Sequence, residues 1–300
     1  MGRSTSSARE QATSRGSEDA VSGGRINWFP GHMNKARREI AKAMPKVDLV
    51  MEVLDARIPG SSANPLVPEL RGETPFLKIL NKADLADPGA TGTWIRHLEN
   101  EPGVRAIPVQ KDKMKEVKGL VDVARAMLPE RRKGGRPILA MILGIPNVGK
   151  STLINTMCGK AIAKVGNRPA VTQHQARIKV GKDIVLLDTP GFLWPRLDPP
   201  ECGSRLAVTG AIRDAVLDLD EIAFFAVRFM SERYPELLRE KYNLETVPSE
   251  PYELLERIGA RRGCLGKGGM LDLQKVCEIF LRELRAGTVG RFTLEWPAAG

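Results

Sequence analysis

Histidine is scarce in this chain, as are cysteine and the aromatics: 3 His, 4 Cys, 3 Tyr, 4 Trp and 8 Phe among 300 residues. Cys158, Cys202, Cys264 and Cys277 are scattered, with no C-x-x-C pair and no histidine at ligand spacing. That excludes a disulfide framework and a zinc site and reads as reduced thiols. No apolar run approaches the roughly 20 residues needed to span a bilayer. The first 25 residues contain no apolar stretch of the kind a secretory signal needs, and Glu10, Glu18 and Asp19 argue against a transit peptide. A disordered tail over residues 1–25 is expected there.

What is present is charge and a normal apolar content. Lys and Arg number 46 against 36 Asp and Glu, a formal net charge of +10, and 42% of residues are hydrophobic. The length allows two domains with cores of their own. The positive balance favours a polyanionic partner, because cations placed near phosphates release condensed counterions. Charge alone does not separate nucleic acid from an anionic membrane. No amphipathic basic stretch with Trp or Phe on one face supports a membrane, and DNA is not expected either.

Short apolar runs alternate with helical patterns through the first two thirds of the chain. Val47 to Leu54, Phe76 to Leu80, Val104 to Val109 and Ile138 to Leu143 read as strands, and Ala176 to Val180 with Ile184 to Leu187 read as a hairpin. A basic helix is expected over Asn34 to Ala43, closed by Pro45, with further helices around Thr91 to Glu99 and Gly119 to Leu128. Such alternation implies a mostly parallel α/β sheet covered on both faces. From about Gly203 the texture becomes helical: Leu206 to Leu219, Glu221 to Met230, Pro235 to Tyr242, Tyr252 to Ile258 and Leu271 to Leu284. The expected organisation is a tail over 1–25, an α/β domain over 26–200 and a smaller all-helical domain over 201–300.

Three motifs carry chemistry. Gly144-Ile145-Pro146-Asn147-Val148-Gly149-Lys150-Ser151 satisfies G-x-x-x-x-G-K-[ST] between an apolar strand and a helix. There the amides of Asn147, Val148 and Gly149 and the helix dipole face a phosphate, Lys150 reaches its outer oxygens, and Ser151 ligates Mg²⁺. Asp188-Thr189-Pro190-Gly191 follows a strand, the place for a carboxylate that holds Mg²⁺ and a glycine N–H that meets the terminal phosphate. Asn81-Lys82-Ala83-Asp84 matches N-K-x-D. The Asp84 carboxylate can accept from both N1–H and the exocyclic amine of guanine, which adenine does not offer; Asn81 braces the loop and the Lys82 stem covers the base. The alternative for Asp84 is a helix N-cap. Gln110 and Lys111 stand where a second guanine-contacting loop would lie, although they match the usual S-A-K poorly.

Motif order is the unusual feature. In Ras-like proteins the phosphate loop comes first, whereas here N-K-x-D precedes it. The fold expected is a circularly permuted phosphate-loop GTPase domain, with the segment after Asp188 leading straight into the helical domain.

With this order, GIPNVGKS, DTPGFLWP and Trp28-Phe29-Pro30-Gly31-His32-Met33 together resemble the YlqF/RbgA-type ribosome biogenesis GTPases, from about Ile26 to Glu295. The resemblance implies a cytoplasmic GTP hydrolase that associates with the maturing large ribosomal subunit and is stimulated by it, with a helical domain that contacts rRNA. Mitochondrial relatives do the same work on the organelle's ribosome. Phe192 stands where Ras-like enzymes carry a water-orienting glutamine, and the resemblance assigns catalysis to His32 instead; contact with RNA or capping of the next helix is the alternative. It also gives Thr172 as the switch residue completing Mg²⁺ coordination, although Ala170 replaces the family's usual glycine nearby. Asn147 matches an asparagine associated with potassium-dependent GTPases, so potassium is expected besides GTP and Mg²⁺.

Candidate RNA contacts fall in two groups: Lys35, Arg37, Arg38 and Lys42 after His32, and Arg261, Arg262 and Lys267, with Arg257 and Lys275, around the stretch Gly263 to Gly269. Without interleaved aromatics they would read phosphate and shape. A monomer is expected. The competing reading is an RNA-binding scaffold in which GTP is a conformational switch with little hydrolysis.

Overall fold

A computed structural model describes residues 38–110, 113–130, 135–163, 176–189, 191, 193, 199–212, 214 and 217–298. His32, Lys35, Arg37, Lys111, Thr172 and Phe192 lie outside the described residues.

Among the described residues six strands form one sheet in the order β3-β2-β1-β4-β6-β5. They are β1 (Leu49–Asp55), β2 (Phe76–Asn81), β3 (Val104–Val109), β4 (Ile138–Gly144), β5 (Ala176–Val180) and β6 (Ile184–Asp188). All neighbours are parallel except β5, which pairs antiparallel with β6 at the edge. Every residue of β1 and β2 is buried, as the apolar runs demanded of strands covered on both faces. On β5, Ala176, Arg177 and Lys179 stay exposed while Ile178 and Val180 turn inward, the alternation of an edge strand with one wet face.

The chain leaves β1 toward β2 on one side and returns to β4 on the other side, so the order reverses between β1 and β4. Ligands of open α/β sheets bind in the crevice beyond the strand C-termini at such a point. Asp55, Asn81, Val109, Gly144 and Asp188 are the terminal residues of β1, β2, β3, β4 and β6, all on this edge.

Helices cover both faces. The leading helix α1 spans residues 38–43 and continues into a 3-10 turn, Met44–Lys46. The α-helix ends at Ala43 as expected, and Pro45 falls in the first turn of the 3-10 helix that follows, where no N–H donor is needed. Next come the short α2 (Pro59–Ser62) and α3 (Val67–Arg71), then α4 (Pro88–Glu99), α5 (Met114–Met127) and α6 (Lys150–Cys158).

The second unit is helical: α7 (Glu201–Val208), α8 (Leu219–Arg233), α9 (Pro235–Tyr242), α10 (Pro251–Arg262) and α11 (Leu273–Ala286). The single helix expected over Leu206 to Leu219 is not formed. Helix α7 ends at Val208, Gly210 takes φ +79°, and Asp218 caps a new helix through the amides of Asp220 and Glu221. A residue with positive φ ends an α-helix, and glycine takes that φ without penalty. Helix α8 is the centre of the bundle, with α7, α9, α10 and α11 around it, and buries Ala223, Ala226, Val227 and Met230.

The last described residues return to the first unit. Leu294 N–H donates to the Arg57 carbonyl (2.8 Å), Phe292 N–H to that of Leu85 (3.1 Å), and the Trp94 indole to that of Glu295 (3.0 Å). Glu295 accepts from the Ser61 amide (2.7 Å) and from Arg205 (3.2 Å). One contiguous apolar cluster runs from Leu49 and Met51 of β1 through Ala207 and Val208 to Val227 and Phe280. The boundary expected near residue 200 therefore separates two textures, while the packing is continuous across it.

Candidate functional site

The phosphate loop starts at the end of β4 and enters α6. Asn147 has φ +56° and Gly149 φ +96°, so the chain curls back and presents successive amides before the helix begins. A side chain at Gly149 would lie 2.4 Å from Asn81 Nδ2. That close approach has a purpose: Asn81 Nδ2 donates to the Val148 carbonyl at 2.8 Å. The first residue of N-K-A-D is thus bonded to the phosphate loop, 67 residues away in sequence.

Val148 is buried and Ser151 half-buried at the start of α6. Lys150 is buried and its ammonium is hydrogen-bonded to Asp188 at the end of β6. That bond places Asp188 beside the start of α6, where Ser151 follows Lys150 in sequence; a hydroxyl and a carboxylate are hard oxygen donors of the kind Mg²⁺ takes. Gly191 runs against the Gly144 carbonyl and Ile145, with room for a Cβ only at 3.4 Å.

The loop expected to read guanine lies among the ends of β1, β2 and β3. The Asp84 Oδ1 atom is buried and has no hydrogen-bond partner, a costly state for a carboxylate oxygen unless a ligand supplies the donors. The N-cap alternative fails, because α4 is capped by Asp87, which accepts from the Ala90 amide at 3.0 Å. Ala83 N–H donates to the Val109 carbonyl (3.1 Å), which sets Gln110 beside the loop. Lys82 has φ +60°, and its ammonium donates to Asp55 at 2.8 Å. Asp55 is buried and bound at both oxygens by Arg57, at 2.9 and 2.8 Å. Burial alone would raise the Asp55 pKa, but the cations of Arg57 and Lys82 outweigh it and hold the carboxyl well below its usual range. Sequence reasoning missed both Asp55 and Arg57 as site residues; an acidic residue ending the strand beside the N-K-A-D strand was the available signal.

These loops lie together as in a GTP site, and the comparisons with known proteins agree. The family described as 50S ribosome-binding GTPase matches residues 139–247. A protein of Bacillus cereus named ribosome biogenesis GTPase A is 48% identical over 91% of this chain and 94% of its own length. The chain belongs to the ribosome biogenesis GTPase A family. A member from Priestia megaterium is 46% identical over 91% of this chain and 97% of its own. The crystal structure of GNP-bound YlqF from Thermotoga maritima superposes with a TM-score of 0.61 at 27% identity, covering 89% of this chain and all of that one. The chain is accordingly a GTP hydrolase with the permuted domain and a C-terminal helical unit.

For this family member the basic surfaces divide. Arg38 and Lys42 are exposed on α1. Lys42, Lys46 and Arg177 line a cleft of about 350 Å³ with Glu39, over a floor of Ala43, Leu139 and Leu187. Around the glycine stretch the candidates are more occupied. Arg262 turns inward, bonded to Glu283 at 2.8 Å and lying over the Tyr242 ring, so it is not a free reader of phosphate. Arg261 donates to the Asn243 carbonyl (3.1 Å), Lys275 to that of Gly263 (3.1 Å), and Arg257 pairs with Glu253. Of the Lys267 side chain nothing is described. Among the described residues no helix is long and apolar enough to cross a membrane, and no His, Cys, Asp and Glu cluster could hold a metal.

Proposed function

We propose that this GTPase binds GTP through Asp84 and the loop Asn147 to Ser151, and acts in maturation of the large ribosomal subunit by contact with its rRNA. The observation that carries the nucleotide half is the buried, partnerless Asp84 Oδ1 beside a loop bonded to the phosphate loop. Adenine would leave that oxygen unpaired. Asn81 braces the two loops and Gln110, with Lys111, completes the wall of the base pocket.

Lys150 would exchange Asp188 for the outer phosphates. Ser151 and Asp188, joined by Thr172, would hold Mg²⁺, which supplies charge neutralisation between phosphate oxygens. The Gly191 amide would meet the terminal phosphate. Asn147 donates its Nδ2 to the Gly210 carbonyl at 2.9 Å, which leaves its Oδ1 to accept a potassium ion. His32 is the proposed residue that positions or polarises the attacking water. Arg38, Lys42, Lys46 and Arg177 are proposed to hold RNA backbone, with Lys35, Arg37, Arg261 and Lys267 as further contacts. The proposed setting is the cytoplasm and the proposed state a monomer.

The test is GTP hydrolysis in potassium buffer with and without purified large subunits, beside His32→Ala. Stimulation lost in the variant supports the whole reading. Stimulation that survives moves the catalytic role away from His32. Tight GTP binding without stimulation favours the scaffold with little hydrolysis.

A further inference from the structure

At the end of β1 the sequence Asp55-Ala56-Arg57, together with Lys82, places three charges in one cluster, Asp55 and Arg57 buried and Lys82 half-buried. Asp55 is the register partner of Asn81, and the Ala56 amide donates to the Asn81 carbonyl at 2.8 Å. The Asp55 carboxylate therefore stands beside the first residue of the guanine loop. One of its oxygens takes both the Lys82 ammonium and Arg57 Nη2 at 2.8 Å, and the other takes Arg57 Nε at 2.9 Å and the Arg57 amide at 3.1 Å. The fork of bonds from Arg57 fixes the plane of the carboxylate, and the carboxylate fixes the ammonium.

Arg57 itself is only 1% exposed. It lies 5.9 Å from the centre of the Phe292 ring, and its Nη2 also approaches the Thr209 carbonyl at 3.4 Å. Its Nη1 is buried without a partner, an unfavourable state for a charged donor. As a packing element alone the guanidinium is a poor choice for this position, since an apolar group would fill the space without an orphaned donor. The geometry accounts for it in another way.

We infer that Asp55 and Arg57 are positioning residues for the nucleotide base: Arg57 orients Asp55, and Asp55 holds Lys82 so that its stem lies where the guanine ring docks. Neither touches the nucleotide. Lys82 takes φ +60°, a backbone conformation that non-glycine residues rarely adopt, and the bond to Asp55 secures the side chain that leaves from it. Because the base is common to GDP and GTP, the pair acts on affinity for both alike and on KM, not on kcat at saturation. The bonds of Asp55 lead to Lys82 and not to the phosphate loop, so phosphate binding should be unchanged.

This inference rests on the reading of Asn81 to Asp84 as the guanine loop, and the experiment separates the two. Binding of ribose-labelled GDP and of inorganic pyrophosphate is measured for the full chain, Asp55→Asn, Arg57→Lys, Lys82→Ala and the double variant Asp55→Asn/Lys82→Ala, each checked by thermal melting. Asp55→Asn should weaken GDP binding by about tenfold, the value of one charge-assisted hydrogen bond, with pyrophosphate binding unchanged. In the Lys82→Ala background the same change should cost nothing further. Arg57→Lys, which keeps a cation but loses the fork, should give a smaller loss confined to the base. If Asp55→Asn does not fold, Arg57→Lys in both backgrounds carries the test. Undiminished GDP affinity in a folded variant overturns the inference, as does an equal loss for GDP and pyrophosphate, or additive losses with Lys82→Ala. Asp84→Asn serves as the control, because an amide can donate to the 2-oxo group of xanthine. If it does not exchange guanine for xanthine diphosphate, the guanine-loop reading fails; if it does while Asp55→Asn has no effect, only the present inference fails.

Discussion

Gly149 shows how little freedom the site leaves to a single residue. It combines φ +96° with a Cβ position only 2.4 Å from Asn81 Nδ2, so Gly149→Ala strains the backbone and displaces the side chain that bonds the guanine loop to Val148. GTP affinity in that variant is expected to fall by more than about tenfold in a calorimetric titration, because two loops lose their register together. Asp55 makes a different demand. Its folded pKa lies below the ordinary carboxylate value of 3.8 because Arg57 and Lys82 prevail over burial. The stability it contributes is therefore fully present above that value and is lost as pH falls further. Urea melts of Asp55→Asn beside the parent chain should differ most near neutral pH and converge as pH drops below 3.8. An undiminished gap at low pH would place the cost elsewhere.

The elements show which patterns a sequence reveals by itself. The inner strands were legible because burial on both faces writes them as short apolar runs, and β2 and β4 extend their expected limits by one residue; β3, an edge strand that exposes Arg105 and Pro108, matches its own limits. The places of the proposed nucleotide motifs were legible, because each follows an apolar run and does sit at a strand end, as Asn81, Gly144 and Asp188 show. The break between α7 and α8 was not, since the apolar periodicity carries on past Gly210 and conceals the turn. The pairing of Arg57 with Thr209 spans 152 residues, and Arg262 meets Glu283 on another helix; no local pattern encodes such partners. At this scale Gly287 is the critical junction. It ends α11 at φ +74°, and a Cβ there would lie 2.4 Å from Leu85 Cδ2, beside the guanine loop. Gly287→Ala should lower stability by about 1–3 kcal/mol in urea denaturation.

Across the whole molecule, the turn after α7 joins the helical unit to the phosphate loop and to Arg57 beyond β1. Asn147 donates to the Gly210 carbonyl, Arg57 approaches that of Thr209, and Arg285 of α11 donates to those of Ala207 and Val208 while pairing with Asp214. Arg285 belongs to neither nucleotide loop, yet Arg285→Ala should weaken GTP binding severalfold, measured by labelled-nucleotide titration, by loosening the turn that Asn147 grips. The basic cleft tests the other partner. Reversing Lys42, Lys46 and Arg177 to glutamate should weaken association with large subunits and flatten its salt dependence, by about one unit of log–log slope for each phosphate no longer neutralised. An unchanged slope would remove the cleft from the RNA-facing surface.

The bond between Lys150 and Asp188 bears on how the protein resets. A buried ammonium with no counterion would make the nucleotide-free protein a high-energy species, and departure of the spent nucleotide would be slow. Here the Asp188 carboxylate pairs with the lysine. With Lys150 in its proposed role at the phosphates, loss of GDP is an exchange of one anion for another, and the barrier to emptying the pocket is lowered from within. Spontaneous turnover of bound nucleotide, without a dedicated exchange factor, is the behaviour this arrangement favours.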